Sequence, residues 1–155
     1  MSDDFNPATK FRSLTGTAKA VERVIVISLT LVSAAWAAEL HVLFDLTFFK
    51  EQFLGLFFAL GMAGVFLRVK SHIAENSTHV PSYDWLCFTA CLVTGGFIVV
   101  MYPSIAYRLG ILSPERWILG ALAILLIFEA TRRVAGWPLV WVGTACILYA
   151  KFADF

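Results

Sequence analysis

Trp117-Ile-Leu-Gly-Ala-Leu-Ala-Ile-Leu-Leu-Ile-Phe128 runs directly into Glu129-Ala-Thr-Arg132-Arg133-Val-Ala-Gly136-Trp137-Pro138. The first segment carries no charge. Within the next helical turns come one carboxylate and two guanidiniums, and Gly-Trp-Pro then breaks the helix. A soluble domain rarely commits so many apolar residues to one run. A bilayer-spanning helix needs about 20 mostly apolar residues to cross roughly 30 Å of hydrocarbon, and basic residues hold its end at the interface. The segment therefore reads as a membrane helix.

The remaining composition agrees. The chain has 155 residues, is 59% hydrophobic and only 15% charged, and has a mean hydropathy of +0.78, whereas soluble domains carry about 25% charged residues. A net charge of +1 with no basic stripe argues against a nucleic-acid partner. Cys87, Cys91 and Cys146 all lie in apolar runs. Cys87 and Cys91 share a helix face, but the spacing fits no zinc pattern. All three are read as small buried thiols, and no metal or cofactor is expected. The first apolar run follows about twenty mostly polar residues without a convincing cleavage site, so it is read as a retained span rather than a signal peptide.

The expected fold is an all-α integral membrane protein. Residues 1–20 form a cytoplasmic polar or interfacial tail, and residues 21–155 form a membrane helical domain. Four transmembrane helices are expected at about 21–43, 49–69, 83–101 and 114–133. The third stops near Pro103, and a short fifth apolar segment covers 138–152. That last segment crosses, re-enters, or continues the fourth helix past a kink. Phe5–Arg23 is either a surface amphipathic helix or a frayed tail. With the N-terminus cytoplasmic, eight of the twelve Lys and Arg fall on the cytoplasmic side (Lys10, Arg12, Lys19, Arg23, Arg68, Lys70, Arg132 and Arg133), as the positive-inside bias requires. Trp85, Trp117 and Trp137 sit at expected span ends.

Helix starts are legible. Ser82 is expected to cap the third span, with Asp84 in its first turn. Ser113 is expected to cap the fourth, with Pro114 and Glu115 behind it. Gly55, Ala59 and Ala63 recur every four residues on the second span, which lets a neighbouring helix approach. No internal or inverted repeat is evident.

Glu129, Arg132 and Arg133 form the strongest polar group, since spacings of three and four place them on one helix face. They are either an interfacial ion pair that ends the helix, with arginines snorkelling to lipid phosphate, or an inter-helix or inter-subunit contact. With Asp84 and Trp85 they make up the candidate assembly or interface residues. Glu39, His41 and Asp45 read as solvated loop residues. His72, Glu75 and His79 make a weak metal candidate, and the sequon Asn76-Ser-Thr78 falls on the expected cytoplasmic side. No Ser-His-Asp arrangement, Walker loop or dinucleotide glycine pattern appears, so no enzyme activity, catalytic residue or substrate-binding residue is expected.

Two segments carry a family resemblance. Val80-Pro-Ser-Tyr-Asp84-Trp85 resembles the Val-Pro-x-Tyr-Asp-Trp that opens a helix in fused TRAP transporter permeases of the TAXI type. Glu129-Ala-Thr-Arg-Arg133-Val-Ala-Gly136-Trp137, with Leu148-Tyr149-Ala150 beyond it, is similar to the Glu-Ala-Thr-Arg-Arg-Val-Val-Gly segment of the same proteins. The resemblance covers roughly residues 45–152. In that family a large unit, which follows this region directly, binds substrate and sodium and moves as an elevator. Here the sequence stops at Phe155. The resemblance therefore implies the small Q-type, four-helix membrane component, as a separate subunit or a truncated piece. It further implies a scaffold role in sodium-coupled import of a small organic solute across a bacterial inner membrane. Its partners would be a large multi-span permease subunit, a periplasmic solute-binding protein and the lipid bilayer. Two rival readings make different demands on the sequence. A membrane anchor of a respiratory enzyme predicts paired His ligands within spans, and His41, His72 and His79 lie outside the expected span cores. An autonomous small transporter predicts central intramembrane charges, and positions 86–100 and 117–128 have none.

Overall fold

The computed structural model describes residues 11–43, 48–71, 80–107 and 114–152. Six helices follow one another among them: α1 (Gly16–Ala37), α2 (Leu40–Leu43), α3 (Lys50–Arg68), α4 (Ser82–Ala106), α5 (Pro114–Val134) and α6 (Trp137–Phe152). One isolated antiparallel bridge joins Phe11 to Val69. Among the described residues three helices, α1, α3 and α4, are long and apolar enough to cross a membrane. Large apolar side chains point outward along them, Leu31, Leu86 and Val100 being 63%, 66% and 70% exposed. Such a surface suits lipid rather than water. The hydroxyls of Thr30, Ser33, Thr89, Thr94 and Thr144 each donate at 2.8 Å to the carbonyl four residues earlier. That is how a hydroxyl is satisfied where water is scarce.

Neighbouring helices run antiparallel, with α3 in contact with α1, α4 and α5. The α3–α4 seam is the closest. Gly55, Ala59 and Ala63 are buried on α3, and Cys87, Cys91, Thr94 and Gly95 are buried on α4. A Cβ added to Gly95 would collide with Ala59 and stand 2.7 Å from the Gly55 carbonyl oxygen, and one added to Gly55 would lie 2.7 Å from Ile98 Cγ2. The small residues thus set the distance between backbones, as in other membrane helix pairs. Leu14, Ile25, Phe66, Leu67, Cys87, Cys91, Leu126 and Ala130 extend the packing toward one end of the bundle.

The helix boundaries depart from the sequence reading in four places. The first helix begins at Gly16, ahead of its apolar run, and ends at Ala37 rather than near Leu43. Glu39 adopts a positive φ of 52° and diverts the chain into the single turn α2. Residues 11–14 are extended rather than helical, and Arg12 and Leu14 are buried. Ser82 is the first helical residue; Pro81 holds the cap position and no side chain caps it.

The fourth departure is that α4 passes through Pro103 to Ala106. Proline at 103 cannot donate to the carbonyl of residue 99. That carbonyl is instead met by Gln52 Nε2 at 2.6 Å, while Gln52 Oε1 accepts the Phe49 N–H at 3.0 Å. One buried amide so satisfies both the first turn of α3 and the bond that Pro103 removes.

The last segment folds back. Gly136, at φ 90°, ends α5 by donating to the carbonyls of Thr131 and Arg132. Phe128 then lies against Gly143, where a Cβ would sit 3.2 Å from its ring. A straight helix would separate these positions by about 22 Å, so α6 packs back on α5. No residue of α6 is buried. Cys87 and Cys91 are buried free thiols, whereas Cys146, on α6, is exposed. Its apolar run therefore did not imply burial within the chain.

Candidate functional site

Asp84 lies in the first turn of α4, where the helix N-terminus favours a carboxylate. The side chain is fully buried, and an arginine meets it from each side. Arg133 Nη2, at the end of α5, lies 2.7 Å from Asp84 Oδ1, and Arg12 Nη2 donates to Asp84 Oδ2; all three side chains are 0% exposed.

Each arginine is held by more than Asp84. Arg12 Nη1 donates at 3.4 Å to the carbonyls of Phe66 and Leu67, and Arg133 Nη1 donates at 3.5 Å to that of Val69. These are the carbonyls that the C-terminus of α3 leaves without helical partners, where the helix dipole is negative. Arg133 also lies over the rings of Phe66, at 4.9 Å, and Tyr83, at 5.6 Å. It reaches Glu129 Oε1 through Nε at 2.8 Å. Arg132 grips the same carboxylate with Nε at 2.8 Å and Nη2 at 2.7 Å, and stands 5.9 Å from the Trp137 ring.

The N-terminal segment reaches the site as an extended strap. Arg12 N–H donates to the Arg68 carbonyl at 2.9 Å, beside the Phe11–Val69 bridge. Alternate residues then face inward: Arg12 and Leu14 are buried while Phe11 and Ser13 are exposed. Three guanidiniums and two carboxylates so tie four segments together at one end of the bundle. Isolated buried charges would cost several kcal/mol each. Mutual pairing and the α3 carbonyls offset that cost.

Of the five residues singled out from the sequence, Asp84, Glu129, Arg132 and Arg133 share this network. Trp85 does not: it packs edge-on against Phe88 at 5.4 Å. Arg12 went unrecognised because it was grouped with the tail; the one local signal was the alternation of Arg12 and Leu14 with Phe11 and Ser13. Glu39 is exposed, and His41 stacks on Trp36 at 4.4 Å, away from the charges. Asp45, His72, Glu75, Asn76, Thr78, His79 and Ser113 lie outside the described residues.

Chemically the arrangement is a clamp. Its carboxylates are engaged by arginines, and its arginines by carboxylates and backbone carbonyls. Comparison with known protein families, with curated proteins and with solved structures gives no match.

Proposed function

We propose that this chain is the small scaffold subunit of a TRAP-type, sodium-coupled importer, serving a large permease subunit and a periplasmic binding protein in a bacterial inner membrane. The observation that carries the reading is the ion pair between Asp84 and Arg133. The two segments in which the chain resembles fused TRAP permeases, 80–85 and 129–137, lie far apart in sequence yet meet in one buried ion pair. Two further features support it. The long helices are unbroken, unlike the discontinuous helices that form transport sites at the bilayer midplane. The strongest charge cluster is committed to holding helix ends together.

In this reading α1, α3, α4 and α5 cross the bilayer and α6 is the short fifth segment. The end bearing Arg12, Arg68, Arg132 and Arg133 faces the cytoplasm. α5 is about 31 Å long by its rise per residue; its uncharged part is Trp117–Phe128, and its charged ends lie at the interfaces.

Reconstitution tests the proposal. The purified chain in liposomes with an inward sodium gradient is expected to accumulate no solute. Uptake is expected once the large permease and the loaded binding protein are added. Sodium-driven accumulation by this chain alone would contradict the scaffold reading.

A further inference from the structure

Between α1 and α3 the surface opens into a crease of about 400 Å³. Its walls are Ile25, Leu29, Leu60 and Val65, and it is open because Gly61 and Gly64 carry no side chain. A Cβ there would still be 3.9 Å from Leu29 and 3.7 Å from Ile25. The crease runs along the helices toward the end that holds the charge network. Its mouth is cationic. Arg68, 61% exposed on its side chain, stands over Phe11 with Nε 3.6 Å from Glu22 Oε1. Lys19 lies one turn before Glu22 on the same face of α1, and Arg23 is adjacent; both are exposed. At this end of α1 and α3 three cations, Lys19, Arg23 and Arg68, so outnumber the one carboxylate, Glu22, which is paired to Arg68.

An apolar slot running from the interface into the bilayer, beneath a net positive mouth, matches one kind of molecule. We propose that the crease binds an anionic phospholipid. Its phosphate would sit on Arg68, with Lys19 and Arg23 snorkelling toward it, and one acyl chain would lie along Gly61 and Gly64. A free phosphate would leave the apolar slot unused. A partner helix, about 10 Å across, is too wide for a crease whose walls stand so near that a single Cβ on Gly64 would come within 3.7 Å of Ile25. This inference rests on the membrane character of the helices and not on the transport proposal.

Native mass spectrometry of the full chain in detergent, titrated with phosphatidylglycerol and with phosphatidylcholine of identical acyl chains, tests it. Phosphatidylglycerol is expected to be retained about tenfold better, because its net negative headgroup is drawn to the basic residues at this surface. Arg68→Gln should cut that preference to about twofold or less. Gly64→Leu should fill the slot and cut retention of both lipids about tenfold, with an unchanged melting temperature. Should Gly64→Leu itself destabilise the chain, Gly61→Leu is read in its place. Excess glycerol phosphate should displace nothing. Equal retention of the two lipids, an unchanged preference in Arg68→Gln, undiminished binding in the glycine variant, or displacement by glycerol phosphate would each overturn the proposal. So would a glycine variant that loses a co-purifying protein while keeping its lipid.

Discussion

Asp84→Ala is expected to destabilise the chain by about 3–5 kcal/mol, the range for removing one member of a buried ion pair. The substitution leaves Arg12 and Arg133 buried with no carboxylate between them, and both side chains are 0% exposed. Arg133 retains Glu129 and Arg12 retains the α3 carbonyls, so the fold loosens at that end first. Asp84→Asn should cost less, because an amide oxygen can still accept from one arginine. The cycle with Arg12→Met and Arg133→Met should be strongly non-additive. With both guanidiniums gone, Asp84→Leu is expected to recover much of the loss, since apolar side chains replace such a triad at little cost. Thermal unfolding in detergent measures each step. A cost under about 1 kcal/mol for Asp84→Ala would show that the pairs behave as exposed ones.

Gly95→Ala should cost about 3 kcal/mol, the upper part of the range for overpacked sites. The added methyl collides with Ala59 and with the Gly55 carbonyl, and backbone cannot move aside as a flexible side chain can. Gly96 is the matched control: a Cβ there meets nothing within 4 Å, so Gly96→Ala should be neutral or stabilising by up to about 1 kcal/mol. Detergent melting curves of the two variants, side by side, separate the seam effect from helix propensity. Similar melting temperatures for both would contradict an α3–α4 spacing set by Gly95.

Local patterns were readable and distant pairings were not. The i,i+3 and i,i+4 spacings alone assemble Glu129, Arg132 and Arg133, because helix geometry dictates that contact. The recurrence of Gly55, Ala59 and Ala63 likewise announced a packing seam. Its counterpart Gly95 was missed, because a single Gly-Gly in an apolar run has no period. Asp84 was placed in a first turn, where its sign is right for the helix dipole. Its arginine partners depend on how helices stack, and Arg12 is 72 residues away. Pro103 was read as a stop because its rescue by Gln52 is a contact across the bundle. Glu39 gave no warning of a left-handed turn, since carboxylates there are uncommon.

The clamp makes an assembly claim that separates it from an ion-coupling site. Glu129 is the member to alter, because its side chain is 19% exposed and Arg133 keeps Asp84 when it is lost. For the proposed importer, the decisive measurement is the sodium dependence of solute uptake by the reconstituted complex carrying Glu129→Ala. The account predicts less complex recovered with the large subunit, or a lower yield of this chain, together with an unchanged half-saturating sodium concentration in the complex that survives. A shifted sodium dependence with normal assembly would contradict it, placing Glu129, Arg132 and Arg133 in the transport mechanism instead.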